Sequence, residues 1–221
     1  MRFDQTDEMT RRIQRELKQI EQDKEGEKKQ DDAIKRAWTI IANATRQHHA
    51  YLEYKGFPDQ IWIVHENKLV VPMYRPTLDG KGKYLTGLQL IDEWGGKKFL
   101  YGQKTTGAYY RIGYGPINIL CEGLATGLSI RKTAASAIQG LFSIWICFSA
   151  ANIKNVAKYI HSGFVMADHD GSGVGEKVAR DIGWNYWLSP NVGEDFNDFC
   201  RGVSLFTACQ VIKKMAMKHK I

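Results

Sequence analysis

From Ile117 onward, short apolar runs alternate with stretches of helical period, and that alternation leaves few folds open to this 221-residue chain. Strands read at about 117–121, 143–148, 163–167 and 185–188. Helices fall between and after them, at about 124–134, 151–161, 174–183 and 203–218. Consecutive strands joined through a helix lie parallel, because only a long crossover returns the chain to the same end of a sheet. The expectation for this half is therefore βαβ units on a parallel sheet with flanking helices.

Two of those strands end alike. Ile117 to Cys121 runs into Glu122-Gly123, and residues 164–167 run into Asp168-His169-Asp170-Gly171-Ser172-Gly173. Acids at the carboxyl ends of parallel strands project into the crevice where open α/β sheets bind ligands. If the chain is still extended there, Asp168 and Asp170 face one side and His169 the other. Three carboxylates brought together repel one another unless a cation joins them, so Glu122, Asp168 and Asp170 read as a Mg²⁺ or Mn²⁺ site. The alternative is a solvated Asp-x-Asp-Gly turn and a helix-cap glutamate, since Asp and Gly are common turn residues. A second acid-tipped strand weighs against it.

These residues resemble a family. Cys121-Glu122-Gly123-Leu124-Ala125-Thr126-Gly127-Leu128-Ser129-Ile130 is similar to the Glu-Gly segment of TOPRIM domains in phage and plasmid primases, and Asp168-His169-Asp170-Gly171-x-Gly173 resembles their Asp-x-Asp element. Gly193-Glu194-Asp195-Phe196-Asn197-Asp198 is similar to their closing Gly-x-Asp-(aromatic)-Asn-Asp stretch. Upstream, His49-Ala50-Tyr51-Leu52-x-x-Lys55-Gly56 resembles their His-Pro-Tyr-Leu-x-x-Lys-Gly, with Ala50 in place of the proline. Leu69 to Tyr74, Gly87-Leu88-Gln89, Lys97 to Leu100, Lys104 and Gly107 to Gly113 follow in the family's order, over about residues 40–200.

The resemblance implies an α/β fold: a TOPRIM-type sheet at 116–221, preceded by a smaller mixed α+β, antiparallel subdomain at 37–115. It implies a DNA primase-like nucleotidyltransferase that makes short RNA primers on a single-stranded DNA template from NTPs. Asp168 and Asp170 would hold metal, Glu122 would bind metal or serve as acid/base, and Asp195 and Asp198 would be secondary carboxylates. Lys98, Lys104 and Arg111 match the basic residues that such cores place beside the sheet, for nucleotide or template. A solvated basic face is the other reading of these three. A TOPRIM metal-dependent nuclease is one alternative function, and a non-catalytic nucleic-acid or partner-binding protein is another. A helicase or single-strand-binding replication partner would load a lone core.

Residues 61–101 read as antiparallel strands and hairpins, rich in β-branched and aromatic side chains with turns between. Residues 1–36 carry ten basic and ten acidic side chains, and form an exposed helix broken near 24–27 or a partly disordered leader. A new helix starts near Ala37 and runs to about Gln47. The net charge of +7 is concentrated in part at 75–114, where seven Lys/Arg face three Asp/Glu, an excess compatible with nucleic-acid affinity. Tyr109 and Tyr110 are candidates to stack on bases, or core aromatics of a strand. Glycines 171, 173 and 175 precede a helix where backbone N–H groups can meet phosphate, or simply turn the chain.

The four cysteines form no Cys-x-x-Cys pair, so buried thiols in a reducing, cytoplasmic setting are expected, and no zinc ribbon. The six histidines lack metal-ligand spacing and read mostly as surface residues. Lys213, Lys214, Lys218 and Lys220 decorate a final helix. No long uncharged apolar run or signal peptide is present, so no membrane is expected.

Overall fold

The computed structural model describes residues 2–138 and 141–219, with side chains of residues 2–7 and 219 left aside. It is α/β, with two five-stranded sheets among the described residues. Helix α1 (Arg2–Ala42) leads into an antiparallel sheet of β1 (Thr45–Gln47), β2 (Trp62–His65), β3 (Lys68–Pro76), β4 (Lys83–Ile91) and β5 (Lys97–Phe99). The short α2 (Ala50–Tyr54) lies between β1 and β2. The second sheet holds β6 (Tyr110–Ile112), β7 (Ile117–Cys121), β8 (Phe142–Ile146), β9 (Phe164–Met166) and β10 (Asn185–Trp187), in the order β10-β9-β7-β8-β6. Helices α3 (Leu124–Ala137), α4 (Ala150–Ala157) and α5 (Val174–Asp181) make its crossovers, and α6 (Phe196–Gly202) and α7 (Leu205–His219) follow. Strands β7 to β10 pair in parallel, while β6 joins the β8 edge antiparallel.

The second sheet is buried on both faces by simple alternation along its strands. Ile119 and Cys121, Ile144 and Ile146, and Phe164 and Met166 point to one core with Leu124 and Leu128 of α3 and Ile212 and Met215 of α7. Leu120, Trp145 and Val165 point the other way, onto Ile153 and Val156 of α4 and Val178 of α5. Gly127 lets α3 sit close: a Cβ there would fall 2.8 Å from Ile146 Cδ1. The first core also takes in Leu69, Val71 and Ile91 of the antiparallel sheet with Tyr51 and Leu52 of α2, so the two sheets share one interior. The opposite face of that sheet, Val70, Leu85 and Leu88, is covered by Ala37 of α1.

Several sequence expectations are corrected here. Helix α1 runs through 24–27 without a break, and a Glu25–Lys29 ion pair of 2.7 Å spans Gly26. It also crosses residue 36 uninterrupted, with Gln30 and Ala33 buried, so the end of the charged segment belongs to the packed body. Gln30 Nε2 donates to Thr86 O at 2.9 Å, and its Oε1 accepts the Lys104 N–H. The helix stops at Ala42, not near Gln47, and Asn43 folds its amide back onto Thr39 O. Residues 45–47 then pair with β2 as a strand. Strand β6 lies before residue 116 yet belongs to the second sheet, through Arg111 opposite Trp145.

His49 is buried rather than on the surface, because its Nδ1 caps α2 by accepting the Tyr51 N–H. A helix not expected from sequence, α6, begins at Asp195, which is its cap; Asp198 lies inside its first turn and caps nothing. Among the described residues all four cysteines are free thiols, with Cys121 and Cys147 buried, and no helix is long and apolar enough to cross a membrane. Lys213, Lys214 and Lys218 lie on α7, whereas the His219 side chain and Lys220 fall outside what is described.

Candidate active site

The site follows from strand order. Strand β7 leads through α3 to β8 on one side, the chain returns through α4 to β9 on the other, and β9 leads on through α5 to β10, so a crevice opens beyond the carboxyl ends of β7 and β9 at this switch point. Cys121 pairs with Met166 in the β7–β9 ladder, which brings the next residues, Glu122 and Ala167, level and sets Asp168 one step on. The Glu122 and Phe148 backbones extend the β7–β8 pairing, with Phe148 N donating to Glu122 O at 2.8 Å. Phe148 does this at φ 69°, a left-handed conformation that costs a bulky residue energy and clusters at functional sites. Gly175 leaves the space at Asp168 open: a Cβ there would lie 3.3 Å from Asp168 O and 3.5 Å from Glu122 Oε1.

A cavity of about 100 Å³ lies here, between the two sheets. The second sheet contributes Glu122, Asp168 and Asp195; the first contributes Lys97 and Gln89, with Tyr51 and Lys55 from α2 and its end. Asp168 Oδ1 is buried and has no hydrogen-bond partner. Burial pushes the Asp168 carboxyl up to about 8, Glu122 and Asp195 add to the rise, and Lys97 opposes it. Glu122 is also raised, first by burial, although the Ala150 N–H and Lys97 pull it down. Tyr51 is held protonated by burial and by the nearby Asp195 and Asp198 charges.

The remaining carboxylates have structural duties. Asp195 Oδ1 accepts the Asp198 N–H at 2.9 Å and its Oδ2 accepts from Thr126 Oγ1 at 3.1 Å, which ties α6 to α3. Asp198 pairs with the mostly buried Lys55 ammonium at 3.3 Å. Asp170 is exposed, and its Oδ1 closes a turn by accepting from Ser172 N, Ser172 Oγ and Gly173 N. That is the turn geometry foreseen as the alternative, although Asp170 still bears electrostatically on Glu122 and Asp168. His169 faces away, as period two requires, with Nδ1 2.8 Å from Ser189 O.

The three basic candidates do not assemble at the carboxylates. Lys98 is exposed on β5, and its neighbour Lys97 occupies the cavity instead, since successive strand residues face opposite sides. Lys104 lies beside α1 in a separate cleft with Gln30 and Arg75. Arg111 lies on the opposite edge of the second sheet, where its Nη2 donates to Ser143 Oγ at 2.7 Å. Sequence reasoning missed Lys97, which the period of β5 alone could not choose over Lys98. It also missed Lys55 as a site residue, although the segment quoted above contains it.

Among the described residues no three His, Cys, Asp or Glu side chains already stand at common metal-binding distance. The donor set nevertheless fits a hard dication. Asp168 Oδ1 lacks any protein partner, Glu122 and Asp195 line the same cavity, and all three offer the oxygen ligands that Mg²⁺ and Mn²⁺ take. No family model matches the chain, and no curated protein matches it. The likeness to TOPRIM primases thus rests on the short segments themselves.

Proposed function

We propose that the chain is a TOPRIM-type primase core, a metal-dependent nucleotidyltransferase that makes short RNA primers on single-stranded DNA. The observation that carries this reading is the pair Glu122 and Asp168, set at the carboxyl ends of adjacent parallel strands, in one cavity with Asp195 and Lys97. The order β9-β7-β8, with an acid after β7 and after β9, supports a TOPRIM arrangement. Mg²⁺ or Mn²⁺ held by Asp168, with Asp170 or Asp195 as a further carboxylate and Glu122 left free as base, would supply charge neutralisation at the reacting phosphate and its leaving group.

The chain's own groups do the rest. The primer 3′-hydroxyl attacks the α-phosphorus of an NTP, pyrophosphate leaves, and the hydroxyl proton passes to a carboxylate, for which Glu122 is the candidate. Lys97, carried on β5, faces the same cavity and offers a fixed cation to the triphosphate. The Lys55–Asp198 pair and the Asp195–Thr126 bond hold the cavity wall in place. A helicase or single-strand-binding protein remains the proposed loading partner.

The test incubates the pure chain with single-stranded DNA, labelled NTPs and Mg²⁺ or Mn²⁺, and resolves products on a gel. Template-dependent, alkali-labile oligomers lost in Glu122→Gln and Asp168→Ala support the reading. Shortening of the DNA instead would make the chain a nuclease, and neither product would leave it non-catalytic.

A further inference from the structure

A second and larger cavity, of about 600 Å³, opens on the other side of the molecule. It lies between the tip of the β3–β4 hairpin and the amino-terminal edge of the second sheet, where Pro116 and Asn118 begin β7 and Ser162 precedes β9. Glu122 is four residues beyond Asn118, a separation along the strand of roughly 13 Å. This cavity is therefore distinct from the carboxylate site.

Its lining combines two kinds of side chain. Lys81 and Lys83 stand exposed on the hairpin, and Arg111 projects from β6. Tyr109, Tyr114 and Trp145 supply aromatic surface. The Arg111 guanidinium is held between rings, 4.5 Å from the Tyr114 centroid and 4.5 Å from that of Trp145, while Ser143 fixes one end. Its Nε is buried with no acceptor in the described protein. Tyr109 meets Trp145 edge-on at 4.7 Å, and Trp145 Nε1 donates to Asn118 Oδ1, so this wall is rigid. No aspartate or glutamate is among the described lining residues. Clustered cations with no acid in the described lining favour a phosphate-bearing ligand, and the exposed Tyr114 ring beside them favours a flat aromatic one. The volume lies within the range of small-ligand pockets.

We infer that this cavity binds a nucleotide unit, its base against the exposed Tyr114 ring and its phosphate on Lys81, Lys83 and Arg111. The unit is either part of a single strand or a free nucleotide. The inference does not depend on the carboxylates being catalytic, so it is tested in EDTA, without divalent metal.

Fluorescein-labelled (dT)10 is titrated by anisotropy, and ATP by equilibrium dialysis, against the full-length chain. The variants are Lys81→Glu/Lys83→Glu and Tyr114→Ala, all at exposed positions, with Lys213→Glu/Lys214→Glu on α7 as the charge-matched control. Binding of (dT)10 identifies a strand, and binding of ATP identifies a free nucleotide. Either is expected to weaken about tenfold or more in both hairpin and tyrosine variants and to hold in the control. The inference is overturned if neither probe binds, if the control loses as much as the hairpin variant, or if an abasic decamer binds as tightly as (dT)10.

Discussion

Replacing Asp168 by Asn should stabilise the metal-free protein, and by an amount that grows with pH. Asp168 sits in the cavity with a buried, unpartnered oxygen, and its carboxyl is raised to about 8 from an ordinary 3.8. A carboxyl raised by folding contributes stability that is complete below its unfolded value. That contribution is lost as pH rises toward the folded one, because the unfolded chain has released a proton that the native state still holds. Across that window the loss is about 1.4 kcal/mol per pH unit for one group. Asparagine keeps the shape and has no proton to hold. The gap between variant and wild type should therefore widen by about 3 kcal/mol from pH 5 to pH 7, with the many shared titrations cancelling in the difference. Urea unfolding followed by tryptophan fluorescence in EDTA at pH 5, 6 and 7 measures it. Millimolar Mg²⁺ should then stabilise the wild type and not the variant, since a ligand bound only by the native state adds to stability. Stability curves that run parallel in pH would refute the claim that Asp168 is buried without a partner and kept protonated.

Three further outcomes follow from the geometry. Lys97→Ala should slow the proposed primer synthesis about tenfold or more, whereas Lys98→Ala should stay near wild type, because of these two neighbours only Lys97 lines the carboxylate cavity; steady-state rates on one template separate them. Glu122→Gln should lower synthesis about a hundredfold or more, the usual range for a lost acid/base group, while its melting temperature holds or rises as a buried like charge is removed. Deleting residues 1–24 should leave thermal stability unchanged, but deleting 1–36 should cost about 2 kcal/mol by removing buried Ala33 and the Gln30 hydrogen bonds to Thr86 O and the Lys104 N–H. Calorimetry of the two truncations checks this, and equal melting temperatures would show that α1 is not part of the body.

How far the chain could be read before folding varies with the kind of signal. The second sheet was legible because strands buried on both faces show as uninterrupted apolar runs, and 117–121 and 164–166 could hardly be anything else. The acids at 122 and 168 were legible for the same reason, as each ends such a run. Helix α6 was not, because its seven residues are too few to show a period and its cap, Asp195, already read as a carboxylate of the site. The strand at 45–47 was hidden by a helical stretch running up to it, and only pairing with β2 makes it a strand.

Charge was the least legible property. Lys97, Lys98, Lys104 and Arg111 lie within fifteen residues and look like one basic surface, yet they serve four places. Alternation along β5 turns the exposed Lys97 toward the carboxylate cavity and leaves Lys98 on the other face. The turn after β5 carries Lys104 to α1, where its backbone is used by Gln30. Strand β6 then crosses to the other sheet and takes Arg111 to the far edge, between two aromatic rings. A run of like charges reports how many cations a segment carries, but each crossing between sheets changes which surface receives them. In this chain the crossings divide the cations between a carboxylate cavity, where Lys97 joins Lys55 beside the acids, and an aromatic cavity with no acid in its described lining. The first arrangement suits the metal-bound triphosphate of an incoming nucleotide and the second a stacked base with its own phosphate, so the separation in space is itself an argument for two ligand sites rather than one extended basic face.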